Sequence, residues 1–286
     1  MEELIFYERP KLENASMVIG FTGWMDGGGV SSGTISLLRD SIKTSPLAEI
    51  DSRNFYILNF PGTMEEVAQF RPYVVLKDGL VKRFEYPVNE FFYSQEHNLV
   101  LFFGKEPNFR WEEFCSHLLT VAEEVGVKRI FFVGSFSGLT PHTREPRLYC
   151  SLSHERLKTE LAPYSVRFSD YEGPASIATL LLLRSRERGL EMFSIAVEIP
   201  MYVRATNPKG IRAALRFIVP FLGIEVDWAE LDKLCEDFER HVDELVKQYP
   251  DLEQQIRKLE ENYDQEILGD DQSFKDWLRR HGIDTI

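Results

Sequence analysis

Cysteine and histidine are scarce in this sequence of 286 residues. Its three cysteines, Cys115, Cys150 and Cys235, are widely spaced and odd in number, which is typical of free thiols in a reducing cytoplasm rather than of a disulfide framework. The six histidines form neither an HxH nor an HxxxH pattern. We therefore predict a cytoplasmic protein with no metal site and no cofactor.

Long apolar runs are also absent. No run approaches the roughly 20 apolar residues that span a bilayer. Met1–Pro10 contains Glu2, Glu3 and Glu8 and lacks the basic-then-apolar order of a signal peptide. Because 43% of the residues are hydrophobic, the chain has enough apolar side chains for a globular core. These features predict a soluble protein without a membrane partner.

Basic residues are few in the C-terminal part of the chain, and most of the net charge of −13 lies there. From Glu225 to the end there are 19 acidic and 8 basic residues, whereas residues 1–224 are close to neutral. Phosphate binding needs concentrated lysine and arginine, so nucleic acid is not an expected partner. The acidic end is either a solvated helix face or a surface for a basic protein. We divide the chain into a core domain, 1–224, and an acidic C-terminal helical region, 225–286.

Apolar runs alternate with amphipathic segments over residues 1–224. Strands are predicted at 17–21, 54–60, 98–103, 128–134, 148–152 and 192–199, and helices at 30–41, 110–125, from about 153, 174–188 and 208–221. Asp78-Gly79 predicts a hairpin over 73–86. Apolar strands joined through helices indicate an α/β fold with a mainly parallel sheet covered on both faces, and the hairpin indicates that part of the sheet is antiparallel.

Residues 225–286 contain only helical patterns. Asp227 is placed to cap a first helix, Pro250 breaks it, and a second helix runs to about Ile267. Their apolar seam consists of Leu231, Leu234, Phe238, Val242, Leu245, Tyr249, Leu252, Ile256, Leu259 and Tyr263. The seam packs either on its own body or on a neighbouring subunit. Ser273 is predicted to begin a last short helix ending at Gly282.

A glycine-rich loop, Gly20–Gly29, joins the first predicted strand to the first predicted helix. Backbone N–H groups at such a junction bind anions, but the loop matches neither a P-loop nor the GxGxxG fingerprint. In the alternative interpretation the glycines permit a tight turn and close packing, and Asp26 caps the helix. The neighbouring Trp24 leaves a binding role open.

Loops at the carboxyl ends of parallel strands form the usual ligand crevice of an open α/β sheet. On this basis we predict one candidate binding crevice, made of Gly23, Trp24, Asp26, Gly28, Glu106, Asn108, His142, Arg144 and Tyr171. Ser137 and His142 form a conceivable nucleophilic pair, but no acid is placed beside them. We assign no catalytic residue, and an enzyme or small-ligand binder remains the alternative to a protein-binding factor.

Five motifs resemble the proteasome assembly chaperone 2 family in order and spacing. They are Gly20-Phe-Thr-Gly-Trp-Met-Asp-Gly-Gly28, Gly104-Lys-Glu-Pro-Asn-Phe-Arg-Trp-Glu-Glu-Phe114, Thr140-Pro-His-Thr-Arg-Glu-Pro-Arg147, Tyr171-Glu-Gly-Pro174, and Pro200-Met-Tyr202 with Asn207-Pro-Lys209. The resemblance covers roughly residues 4–225, and the acidic tail is similar to that of prokaryotic members.

The resemblance implies a three-layer α/β sandwich like that of the purine nucleoside phosphorylases, with a mostly parallel mixed sheet and a C-terminal helical hairpin. It implies a homo-oligomer, a trimer or tetramer, that binds or assembles proteins. Two departures stand out. Met201 occupies a position where the family pattern has histidine, and the chain ends in Asp284-Thr-Ile286 without the penultimate tyrosine of proteasome-binding members.

Overall fold

The structure, a computed structural model, describes residues 3–68 and 70–270, without the side chains of 267–270. The short helix predicted from Ser273 to Gly282 lies outside this range. Among the described helices, none has the length and apolar character needed to cross a bilayer.

Nine strands form one mixed sheet within the described part of the chain. In spatial order they are β1 (Leu4–Phe6), β3 (Ser45–Ile50), β6 (Asn89–Ser94), β7 (Leu99–Lys105), β2 (Ala15–Thr22), β8 (Val127–Gly138), β11 (Glu191–Pro200), β9 (Leu148–Leu152) and β10 (Val166–Phe168). The four central strands β7, β2, β8 and β11 run parallel. Strands β1, β3, β6 and β9 join by antiparallel pairing.

Helices cover both faces of the sheet. Helices α1 (Val30–Ser41) and α5 (Pro208–Leu222) lie on one face, and α3 (Trp111–Val125) and α4 (Ile177–Glu187) on the other. Along β2, Met17 and Ile19 face the α3–α4 side while Val18 faces the α1–α5 side, and all three are fully buried. Alternate residues of a strand point to opposite faces, so an uninterrupted apolar strand needs two covers. The predicted three-layer sandwich is confirmed.

One predicted strand, 54–60, is wrong. Ser52–Asn54 is a 3₁₀ turn, and the residues after it leave the sheet. Phe55 is buried, but its carbonyl oxygen accepts the N–H groups of Asn108 and Phe109, at 2.8 and 3.1 Å. The segment is therefore apolar because it packs beneath the loop before α3. Its place in the sheet is taken by β3 and β6, which sequence patterns did not predict.

The predicted hairpin is present, but it forms a small sheet of its own. It consists of β4 (Tyr73–Lys77) and β5 (Leu80–Glu85), after the short helix α2 (Met64–Ala68). Asp78 and Gly79 have φ of 52° and 76°, as a tight two-residue turn requires. The expectation that this hairpin supplies the antiparallel part of the main sheet is wrong, since β1, β3, β6 and β9 supply it.

Two helices follow the core, α6 (Trp228–Val246) and α7 (Pro250–Asp270). The Asp227 carboxylate accepts the N–H of Ala229 at 3.0 Å and that of Glu230 at 3.4 Å, so the predicted cap is confirmed. Helix α6 packs on α5 of its own chain.

The buried face of these helices differs from the predicted seam. The buried side chains on α6 and α7 are Leu231, Cys235, Val242, Val246, Ile256 and Tyr263. Leu234, Leu245 and Tyr249 are instead 46–61% exposed. Cys235 and Val246 are buried where the predicted seam had Leu234 and Leu245, so the packed face of α6 is offset by one residue from that seam.

Candidate functional site

The glycine-rich loop is hydrogen-bonded to strand β8 and to the residue that precedes α5. Ser135 of β8 donates its N–H to the Met25 carbonyl at 2.8 Å and its hydroxyl to the Gly27 carbonyl at 2.7 Å. The Asn207 N–H donates to the Gly28 carbonyl at 2.8 Å. Gly28 has φ of 60°, and a Cβ there would lie 2.9 Å from the Asn207 Cβ. Gly28 thus allows a backbone conformation and a close approach that other residues do not.

Asp26 acts on the first turn of α1. Its carboxylate accepts the N–H of Ser32, the third residue of the helix, at 3.0 Å. Burial raises the pKa of Asp26, and hydrogen bonds from Ser32 and Ser31 oppose that rise. The loop's one acid therefore serves the helix start, as the packing interpretation of the sequence expected.

Glu106 joins the ends of β2 and β7. Its N–H donates to the Thr22 carbonyl at 2.9 Å, and its Oε1 lies 3.5 Å from the Ile177 nitrogen. Burial raises the pKa of Glu106, although the N–H groups of Ile177 and Trp24 favour the carboxylate. Trp24 itself is 61% exposed. The Glu106 carboxyl, whose pKa is raised, thus contacts the backbone of Trp24, and the Trp24 indole is largely exposed to solvent.

Asn108 and Tyr171 contact nearby backbone. The Asn108 Oδ1 accepts the Ile57 N–H at 2.9 Å, which fixes the segment after the 3₁₀ turn. Tyr171 is 70% exposed, and its hydroxyl donates to the Pro174 carbonyl at 3.2 Å. Asn108 thus holds a loop in place, while the Tyr171 ring faces solvent.

His142 belongs to a different cluster, beneath the C-terminal helices. The side chain is buried, with Nδ1 2.7 Å from the Tyr202 hydroxyl and Nε2 3.0 Å from Asp243 Oδ1. Both ring nitrogens therefore have partners other than Ser137. The Ser137–His142 pair considered from the sequence does not form, and the histidine instead connects the body to α6.

Arg144 makes the corresponding contact to α7. Its Nε and Nη2 lie 2.8 and 2.7 Å from the two Asp264 oxygens, a bidentate ion pair. The nearby Thr143 hydroxyl donates to Glu260. Eight of the nine residues of the predicted crevice thus fall into two groups. The first comprises the four loop residues with Glu106 and Asn108 after β7, the second comprises His142 and Arg144, and the remaining residue, Tyr171, bonds within its own loop.

Sequence reasoning missed three members of the His142 cluster: Lys209, Glu239 and Asp243. The Lys209 ammonium is buried and donates to the His142 carbonyl at 2.5 Å and to Glu239 at 2.7 Å. Lys209 belongs to the motif Asn207-Pro-Lys209 quoted from the sequence, but that motif gave no indication of a contact with His142. Asp243 is 101 residues from His142 along the chain, so no local pattern linked them.

The metal-ligating and thiol side chains of residues 3–68 and 70–270 can be compared with known kinds of site. No group of three or more His, Cys, Asp or Glu side chains there has the arrangement of a metal site. The three cysteines in this part of the chain are buried free thiols. Burial raises the pKa of Cys115 and of Cys150 to about 12, which suppresses the reactive thiolate.

The hairpin carries an unusual amount of exposed apolar surface. We define the apolar hairpin as residues 73–88. Eight of its apolar side chains are 39–63% exposed: Tyr73, Val74, Leu76, Leu80, Val81, Phe84, Tyr86 and Val88. The exposed cations Lys77, Lys82 and Arg83 lie among them. Sequence patterns predicted the hairpin but not its exposure, because an apolar strand is normally read as buried.

The sequence profile of the PAC2 family matches residues 20–246. The chain belongs to the PAC2 family. All five motifs noted in the sequence lie within the matched range, so that resemblance is confirmed. Among the curated proteins, none matches the chain.

Solved structures of PAC2 proteins share the fold. A proteasome-assembly chaperone homologue of Mycobacterium tuberculosis is 26% identical with a TM-score of 0.73, covering 84% of this chain and 99% of its own. A PAC2 family protein of Streptomyces avermitilis is 27% identical with a TM-score of 0.69, covering 81% and 95%. PbaB of Pyrococcus furiosus, an archaeal proteasome activator, is 24% identical with a TM-score of 0.63, covering 86% and 99%.

Proposed function

We propose that this PAC2 protein is a cytoplasmic protein-binding or assembly factor that works as a homo-oligomer, a trimer or tetramer. The apolar hairpin is the observation that carries the proposal. Contiguous exposed apolar surface marks sites of protein interaction. An isolated two-stranded hairpin is at best marginally stable in water, so a protein that covers it also stabilises it.

The relatives support a protein rather than a small molecule as the main partner. Two of them are described as a proteasome-assembly chaperone homologue and as a proteasome activator. Both descriptions name action on a multi-subunit protein complex. The buried free cysteines support a reducing compartment such as the cytoplasm.

Light scattering of the purified protein tests this function. The wild type is expected to have several times the monomer mass of 33.2 kDa. A Leu76→Ser/Leu80→Ser variant is expected to fall to the monomer mass, because both leucines are at least 60% exposed on the hairpin. Leu139→Ser/Leu183→Ser, with two leucines 53–56% exposed elsewhere, is the matched control and should keep the wild-type mass. Equal masses for both variants would contradict the proposal.

Binding of a small ligand beside Trp24 is a second candidate function. The supporting observation is that two half-buried carboxyls, Asp26 and Glu106, lie near the exposed Trp24 in the chain fold, and that burial raises the pKa of each. A ligand-observed NMR screen of small polar metabolites tests it. A true ligand loses binding in Trp24→Ala and keeps it in Tyr249→Ala, which removes an equally exposed aromatic side chain. A screen without such a ligand would remove this candidate.

A further inference from the structure

Helix α6 has an outward face that residues 3–68 and 70–270 leave uncovered. We define the outer stripe as Glu230, Leu234, Asp237, His241, Glu244 and Leu245. Steps of three and four residues place these side chains on one face of the helix. Leu234 is 50% and Leu245 46% exposed, and Tyr249 just after the helix is 61% exposed. The outer stripe thus carries two exposed leucines, with Asp237 and His241 between them along the helix.

The outer stripe is distinct from the face that holds α6 to the body. That second face consists of Leu231, Cys235, Val242 and Val246, all buried. Anchoring to the fold therefore accounts for the buried residues of α6 but not for Leu234 and Leu245. Exposed leucines outside the buried face of a surface helix indicate a further packing partner.

The charges around the two exposed apolar surfaces are opposite. Between Arg71 and Val88 the chain has four basic and two acidic residues, whereas α6 has seven acidic and two basic residues. On the hairpin the cations Lys77 and Lys82 are exposed among the apolar side chains. On α6 the exposed acids Glu230 and Glu244 flank the leucines. Complementary charge of this kind sets which surfaces meet and in what register.

We infer that the apolar hairpin of one copy packs on the outer stripe of a neighbouring copy. This inference rests on the proposed function and names the surface that receives the hairpin. Contact between two hairpins is the competing arrangement, and it would bring together two surfaces that each carry a net positive charge. Like charges placed face to face are unfavourable, whereas the outer stripe offers acids and leucines.

The arrangement is head-to-tail. Each copy has one hairpin and one outer stripe, so each contact uses a different surface from each of two copies. When such heterologous contacts close into a ring, both surfaces of every subunit are covered. A closed ring also explains why both surfaces are exposed in the part of one chain that the structure describes.

Charge reversal tests the pairing of these two surfaces. The hairpin variant is Lys77→Glu/Lys82→Glu, and the stripe variant is Glu230→Lys/Glu244→Lys. Self-association of each is expected to weaken by about tenfold or more, because like charges then face each other. The chain that carries all four substitutions is expected to regain the wild-type mass, since the charges are again complementary. Glu236→Lys, on α6 but off the outer stripe, is the control and should leave the mass unchanged.

The outcomes separate this inference from the proposed function. Loss of assembly in the hairpin variant alone, with the stripe variant unchanged, would overturn the inference and leave the hairpin as an interaction surface. Absence of rescue in the fourfold variant, with circular dichroism confirming its fold, would also overturn it. A wild type of monomer mass would contradict both the inference and the oligomer part of the proposed function.

Discussion

At the scale of single residues, Gly28 and Gly223 share a backbone conformation in very different surroundings. Their φ values are 60° and 61°. A Cβ on Gly28 would lie 2.9 Å from the Asn207 Cβ, whereas no atom of the described chain lies within 4 Å of one on Gly223. The pair therefore separates the cost of a left-handed backbone from the cost of a close contact.

We predict that Gly223→Ala lowers the free energy of unfolding by about 1–2 kcal/mol, the usual cost of a left-handed conformation. Gly28→Ala should cost about 1–3 kcal/mol more, because its methyl group also overpacks the start of α5. Urea unfolding of the two variants measures the difference. Equal losses would contradict the close packing of the glycine-rich loop.

Glu3 gives a prediction about pH. Hydrogen bonds from Arg110, and then from Asn54, lower the pKa of Glu3 from 4.5 to about 2. A carboxylate with a lowered folded pKa stabilises the protein fully above pH 4.5, and this contribution is lost as the pH falls towards 2. Glu3→Gln should reduce stability at pH 7 by no more than about 1 kcal/mol, the usual limit for an accessible ion pair.

The two proteins should become nearly equal in stability as the pH approaches 2. Urea unfolding at pH 7 and at pH 2.5 measures this convergence. A constant difference across that range would mean that the Glu3–Arg110 contact does not depend on the ionised carboxylate.

At the scale of elements, Leu231 and Leu234 lie on the two faces of α6. Leu231 is 2% exposed in the core beside α5, and Leu234 is 50% exposed on the outer stripe. Leu231→Ala should lower the free energy of unfolding by about 2–4 kcal/mol through the cavity that it leaves. Leu234→Ala should change it by less than about 0.5 kcal/mol in the monomer.

The readout is urea unfolding at several protein concentrations. The Leu231→Ala loss should be independent of concentration, because it arises within one chain. Any Leu234→Ala loss should appear only at concentrations where the protein self-associates. A concentration-dependent loss in Leu231→Ala and a concentration-independent loss in Leu234→Ala would mean that Leu234, and not Leu231, faces the core.

Elements with a local signal were predictable from the sequence. Helix α1 spans the predicted residues, Asn207 caps α5 through the Gly210 N–H, and Asp78-Gly79 forms the hairpin turn. In each case the responsible hydrogen bond or φ value lies within a few residues of the signal. Nearby chemistry of this kind is what a single sequence contains.

Elements that depend on distant partners were not predictable. The segment 54–60 has the composition of a strand, yet Phe55 bonds to the loop that contains Asn108. Strand β3 contains Pro46 and charged Glu49 and gave no strand pattern, although it pairs with β6. For the candidate site the same limit applies, since His142 meets Asp243 only through tertiary packing.

At the scale of the whole molecule, the acidic tail is partly neutralised by its own body. Arg144 pairs with Asp264 at 2.7 Å, and Arg147 pairs with Glu266 at 2.8 Å. Helices α6 and α7 therefore lie on the chain's own body in this structure, through ion pairs of α7 and the apolar face of α6. The outer stripe keeps its acids and its leucines exposed.

The central claim is that the apolar hairpin is covered by protein in the working assembly. Amide hydrogen exchange as a function of protein concentration tests it most directly, with β2 and β8 as internal references. The account predicts that residues 73–86 exchange rapidly in the monomer and become protected as self-association rises, while protection of the central strands stays constant. Rapid exchange of the hairpin at every concentration, in a protein shown by light scattering to be oligomeric, would contradict it.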